Sequence, residues 1–228
     1  MKKSISIILL VFVLILTAAC GRLDTPKNNE TATPDGQINN GEATSGPDEN
    51  MEETPAVSEE DRVRIVKERA DKALELIKAY DMDGLSEMVH PEKGVRFTPY
   101  GYVDLKNDLV FTKEEVAKLG TDTKKYVWGS YDGTGDPIGL TFADYYKQFI
   151  YDVDFVNAEK TSVNERLGKG NSIDNSAEVY KDAYVVEYHF SGFDTKYEGM
   201  DWKSLRLVLS EYDGTWYIVG IIHDQWTI

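Results

Sequence analysis

The chain has 228 residues, 41% of them hydrophobic, with 14 Tyr, 8 Phe and 4 Trp and a formal net charge of −15 at pH 7. That apolar content excludes a wholly disordered chain and suffices for one ordinary domain with extensions. The acidic balance excludes nucleic acid, which needs a basic footprint, and electrostatic docking on anionic lipid, so any membrane attachment has to be covalent or hydrophobic.

In chain order, Lys2-Lys3 forms a positive start and Ile5–Leu16 an apolar run. That run is shorter than the ~20 residues a bilayer span needs, so residues 1–20 read as a targeting segment. It closes on Leu16-Thr17-Ala18-Ala19-Cys20, which resembles the lipobox of bacterial lipoproteins, with Thr17 where an aliphatic residue is usual. The resemblance implies cleavage before Cys20, a diacylglycerol on its thiol, acyl chains such as palmitate, and an anchor in the outer face of the cell membrane. Read instead as an ordinary signal peptide, the small residues Thr17 and Ala19 leave Cys20 free. Cys20 is the only cysteine, so no intrachain disulfide forms and the fold rests on packing alone.

Residues 21–57 are dominated by Asn, Thr, Glu, Pro, Gly and Asp and read as a disordered linker. A coil of that length has an end-to-end distance of about 35 Å, enough to hold a folded domain off a membrane. The folded part is expected over 58–228. Ser58 caps a helix whose first turn is acidic, and Val63, Val66, Ala70, Ala73, Leu74, Ile77 and Tyr80 form its apolar stripe. Leu85, Met88 and Val89 suggest a second, short helix stopped by His90-Pro91. Val95–Val103 reads as a strand demoted to an edge or bulged piece by Pro99 and Gly101.

Thr112-Lys113-Glu114-Glu115 is a capping box for a helix to Leu119, and Thr141 caps another to about Tyr151. Tyr126–Trp128 with Tyr131, Val163–Leu167, and the alternating Tyr184–Phe190 read as strands. In the closing stretch Ser204–Ile228, Asp213-Gly214 predicts a type I′ hairpin. A two-residue loop pairs Tyr212 with Thr215, Leu209 with Ile218, Leu207 with Gly220 and Leu205 with Ile222. Leu205, Leu207, Leu209, Trp216, Ile218 and Ile222 then share a core face, and Ser204, Arg206, Tyr217 and His223 share the other.

Helices segregated before a mostly antiparallel sheet that ends in a three-strand meander define an α+β fold. The segment Asp81–Phe97, DMDGLSEMVHPEKGVRF, following a long amphipathic helix, resembles the opening of cystatin-like rolls of the nuclear-transport-factor and ketosteroid-isomerase type. HPEKGVRF and the GIIHDQW ending also resemble uncharacterised lipoproteins of Gram-positive bacteria, a group that implies no activity. The roll resemblance implies a curved sheet around a conical pocket, with Asp, His or Tyr inside it in the enzymes of the class, and a sheet face through which such rolls often dimerise.

His223 and Asp224 are the catalytic candidates, a base with its orienting carboxylate, and Arg206, Tyr217, His189 and Trp226 are the ligand-binding candidates. Neighbours in a strand point to opposite faces, so His223 and Asp224 need a bend to cooperate; otherwise His223 is a structural histidine. Glu187 and His189 share a face. His90, His189 and His223 lack the close spacing of a zinc site, and no metal or other cofactor is expected. Gly133-x-Gly135, Asp81-x-Asp83-Gly84 and Asp152-x-Asp154 lack the context of dinucleotide or calcium loops, and there is no G-x-S-x-G. Tyr100, Tyr102, Tyr126, Trp128, Tyr131, Tyr145, Tyr146, Trp202 and Trp226 either line a groove or fill the core, and burial separates the two readings. The expectation is therefore a lipid-anchored domain binding a cell-wall component, small ligand or protein. The rivals are a pocket enzyme of isomerase, dehydratase or hydrolase type, and a homodimerising structural module.

Overall fold

The computed structural model describes residues 57–170 and 172–227; the targeting segment, Cys20 and the linker up to Ala56 lie outside the described residues. Helix α1 (Glu59–Lys78) begins where expected: the Ser58 hydroxyl accepts from the Asp61 amide, and Glu59, Glu60 and Asp61 complement the helix N-terminus. Val66, Ala70, Ala73, Leu74 and Ile77 form its buried stripe. Asp81 caps α2 (Met82–Ser86) by accepting from the Gly84 amide. The Thr112–Glu115 capping box opens α3 (Lys113–Leu119), and Thr141 caps α4 (Phe142–Phe149).

The strands are β1 (Val95–Thr98), β2 (Leu109–Phe111), β3 (Lys125–Ser130), β4 (Pro137–Thr141), β5 (Lys160–Val163), β6 (Ala183–Phe190), β7 (Lys203–Tyr212) and β8 (Thr215–Gln225). One sheet has the order β2-β1-β8-β7-β6-β5, antiparallel throughout except that β1 lies parallel to β8; β3 and β4 form a separate hairpin. The architecture is α+β, closed by the β6–β7–β8 meander. Three elements were not legible: β2, β4 with its Pro137 and Gly139, and the single-turn α5 (Ser176–Val179).

Asp213 and Gly214 both take positive φ, 48° and 71°, as a type I′ turn requires. The pairs Tyr212–Thr215 and Leu209–Ile218 form as expected. The next pairs do not. The register shifts after Leu209, so Val208 faces Gly220, Leu207 faces Ile221, Arg206 faces Ile222 and Leu205 faces His223. Val219 is the extra residue of a bulge, and one extra residue inverts the alternation beyond it. Ile221 therefore joins Leu205, Leu207 and Leu209 in the main core, and Ile222 packs with Val103, Val208 and Val219 on the other side of the sheet.

The inner face packs against α1 and is filled by aromatic rings. Trp128 stacks on Tyr145 at 4.0 Å, and Phe97 meets Trp128, Phe142 and Tyr145 edge-on. The outer face is crossed by residues 164–170 and 172–180. The expected strand Val163–Leu167 meets β5 only at Val163, because Asn164 adopts φ 56° and turns the chain out of the sheet, and the strand lies before it at Lys160–Val163. This strap reaches as far as the β1–β2 connection, where Asn175 exchanges two hydrogen bonds with the Val103 backbone.

Candidate functional site

The bulge decides which charged side chains meet. Asp224, not His223, shares the outer face with Arg206, across the β7–β8 ladder from Ser204. Arg206 Nη2 donates to Asp224 Oδ2 at 2.6 Å, and its Nε stands 3.3 Å from Glu187 Oε2. Glu187 also accepts from the Ser204 hydroxyl and from the Leu167 and Gly168 amides. Asp224 accepts from Arg166 and from the Ser172 hydroxyl, and Asp174 faces both arginines. The network is thus a fastening between sheet and strap. Burial pushes the Glu187 carboxyl up, but Arg206, the Ser204 hydroxyl and the two amides outweigh it and hold the group below its ordinary value. Two expected ligand contacts, Arg206 and His189, are absorbed here: His189 Nδ1 lies 2.9 Å from Ser204 Oγ, and burial lowers its pKa.

His223 lies on the inner face, fully buried, with Nε2 3.2 Å from Asp152 Oδ2, Nδ1 3.3 Å from the Pro99 carbonyl, and its ring edge-on to Phe149. Lys203 also pairs with Asp152. The expected His223–Asp224 pair is therefore not assembled, because adjacent strand residues point apart and the bulge does not bend them together. Tyr217 sits near the hairpin turn beside His90 and Arg69, and Trp226 packs over Gly170 with Trp202. His90 caps a turn, its Nδ1 accepting from the Glu92 and Lys93 amides. Among the described residues no three His, Cys, Asp or Glu side chains converge as metal ligands.

The open concavity is elsewhere. Between the β1–β2 connection and the β3–β4 hairpin lies a cleft of about 1070 Å³. Tyr100, Tyr102 and Tyr131 supply its aromatic walls, and Asp104, Asp108 and Asp132 its carboxylates, with Lys106 among them. Val127 and Ile173, 59% and 70% exposed, add apolar surface at the cleft. The nine aromatic candidates thus divide: Trp128, Tyr145 and Trp202 are covered, Tyr126, Tyr146 and Trp226 are partly buried outside the cleft, and Tyr100, Tyr102 and Tyr131 line it.

Asp108 is the chemically distinctive member. Its Oδ2 accepts from the Thr98 hydroxyl at 2.7 Å and the Asp104 amide at 3.0 Å. Burial outweighs both bonds and raises its pKa to about 6. The Tyr145 hydroxyl, buried without a hydrogen bond, is pushed well above its ordinary value by burial and by the nearness of Asp108 and Tyr100. A carboxyl that exchanges its proton near pH 6 can give or take one from a bound molecule. Sequence reading missed it because an aspartate in a Lys-Asn-Asp loop looks like solvated surface; only the neighbouring Tyr100-Gly101-Tyr102 signalled the wall.

No family model matches the chain, nor does any curated protein. Solved structures similar to it include Aln2 from a Streptomyces species, with 11% identity over 74% of this chain and 93% of that one and a TM-score of 0.35. An NTF2-like protein from Cytophaga hutchinsonii has 11% identity over 72% and 98% of the two chains, with a TM-score of 0.35. A domain of unknown function with a cystatin-like fold from Nostoc punctiforme has 7% identity over 75% and 81%, again with a TM-score of 0.35. These are likenesses of architecture alone, and at such scores they carry no argument about activity.

Proposed function

We propose that the chain is a domain tethered to the outer face of the cell membrane through lipidated Cys20, and that it binds a ligand in the Tyr100–Tyr131 cleft. The observation that carries the binding reading is the cleft itself, where three phenols and three carboxylates converge on one open concavity. Tyrosine faces stack on sugar rings and carboxylates accept from sugar hydroxyls, so a cell-wall saccharide fits the lining. The tether rests on the charged start, the short apolar run and the Leu16–Cys20 sequence.

Calorimetric titration of the purified chain with cell-wall oligosaccharide fragments tests the binding. Tyr102→Ala and Tyr131→Ala should each weaken it about tenfold, near the value of one lost stacking contact. If no fragment binds, or binding survives both substitutions, the reading falls. Mass spectrometry of the membrane fraction tests the anchor: an unmodified mature chain with a free Cys20 thiol sinks it.

A second reading, acid–base catalysis in the same cleft, is favoured by Asp108, whose proton exchanges near pH 6. Under that reading Asp108→Asn abolishes turnover of a bound ligand without loss of affinity; unchanged turnover refutes it.

A further inference from the structure

The outer face of the sheet carries a second recess of opposite chemistry. Beside α5, a groove of about 400 Å³ has Val110, Val179 and Val219 among its apolar lining, and Lys93, Arg96 and Lys181 supply its cations. Asp182 is the one acid among its lining residues, an inversion in a chain of net charge −15. Val110 is 45% exposed and Leu105, also in the lining, 63%.

Two of the three cations are held by neutral oxygens. Lys93 Nζ donates to the Ser210 hydroxyl at 3.0 Å, and Arg96 Nη1 donates to the Asp104 and Asp108 carbonyls at 3.5 and 3.1 Å. Among the described residues, the ion pairs on this face belong to Arg166 and Arg206, not to Lys93, Arg96 or Lys181. Tyr180 completes the arrangement. Its hydroxyl is buried and within reach of the Arg96 guanidinium. It lies directly over Gly220, where a Cβ would stand 2.9 Å from the phenol oxygen, and Gly220 is the register partner of Arg96 on β1. Burial outweighs both the charge and the hydrogen bond of Arg96 and lifts the phenol to about 12, so it stands neutral beside the guanidinium. Arg96 gives only one of its nitrogens to the two carbonyls, so the guanidinium has further N–H groups for an anionic oxygen.

We propose that this groove binds a fatty acid, its carboxylate meeting the Arg96 guanidinium and the Lys181 ammonium and its alkyl chain lying on Val110, Val179 and Val219. The cations match the head group, and the valine surface matches the tail, which a free phosphate would leave bare. The groove's lining shares no residue with that of the tyrosine cleft, although Arg96 is anchored on the backbone of Asp104 and Asp108 in the cleft wall.

The test is calorimetric titration of decanoate, below its micelle concentration, into the purified chain carrying Cys20→Ser, which keeps protein-bound acyl chains out of the cell. Decanoate should bind at one site, and decanol and decyltrimethylammonium, with the same chain, at least tenfold more weakly. Arg96→Gln should weaken decanoate about tenfold, the loss of one charge-assisted contact. Lys181→Glu, at an exposed position, should weaken it with no change in thermal unfolding, and so covers the case in which Arg96→Gln fails to fold. Equal affinity for decanol, indifference to Lys181→Glu, or loss of decanoate binding in Tyr102→Ala would each overturn the proposal.

Discussion

Arg206 and Asp224 form an ion pair of 2.6 Å with side chains only 1% and 0% exposed, and they meet only because the bulge at Val219 turns Asp224 to the Arg206 face. The same carboxylate takes Arg166 and Ser172 from the strap, so two strands and the strap converge on one buried group. Two buried charges gain little net stability over a well-packed apolar pair, but removing one of them strands the other. Arg206→Met should therefore cost about 3–5 kcal/mol in urea unfolding, because Glu187 and Asp224 lose their shared cation. Adding Asp224→Leu to that variant should restore part of the loss. A cost under about 1 kcal/mol for Arg206→Met would mean that the network does not fasten the strap.

Acid should release that fastening. The Glu187 and Asp174 carboxyls are each pushed up by burial but are held below their ordinary values of 4.5 and 3.8 by their partners, Arg206 prominent among them. A carboxyl with a depressed folded pKa contributes stability above its unfolded value and loses it as pH falls through the folded one. Stability should thus drop steeply below about pH 4, with the strap leaving first, read as amide exchange at Leu167 and Gly168. Exchange at those two amides that stays unchanged down to pH 3 would count against the assignment.

Asp108 acts in the opposite sense. Burial raises its pKa from 3.8 to about 6, so the folded state binds its proton more tightly than the unfolded state does. Its ionised form opposes folding, and that penalty is relieved as pH falls from 7 through 6 toward 4. The stability profile should accordingly rise between pH 7 and pH 5 before the acid loss begins. Asp108→Asn keeps an oxygen for Thr98 and the Asp104 amide and removes the charge. It should raise the unfolding midpoint at pH 7 and flatten the rise; a variant less stable at pH 7 contradicts the sign.

What could be read from the sequence divides along physical lines. Ser58, Thr112 and Thr141 each announce a helix through a local side-chain bond to the backbone, and each does so in the structure. The meander was legible because alternation and the Asp213-Gly214 turn are local signals. The strap was not, since residues 164–180 have no periodicity and are held by Glu187, Asp224 and Val103, all distant in sequence. The bulge left one trace, Gly220 within an apolar strand, and missing it misplaced Ile222, His223 and Asp224 together. Asp108 was invisible because its raised pKa comes from burial, which no local pattern encodes.

The strap's seat can be tested at one glycine. Gly168 has no unusual backbone angle; it is small because the Trp202 indole lies where a Cβ would project, and the Ser204 hydroxyl would be 3.0 Å from that atom. The obstacle is a buried ring, with Trp202 only 4% exposed, and not the free end of a flexible chain. Gly168→Ala must therefore displace either the indole or the strap, and overpacking of this kind costs about 1–3 kcal/mol. If the strap gives way, the Gly168 amide moves off Glu187 and the Leu167 amide with it, leaving the carboxylate to Arg206 and the Ser204 hydroxyl. The expected result is a lower urea midpoint, faster exchange at both amides, and a change in near-ultraviolet dichroism from the Trp202 indole. An alanine variant with wild-type stability and an undisturbed Trp202 signal would show that the strap rides above the sheet without being seated on it.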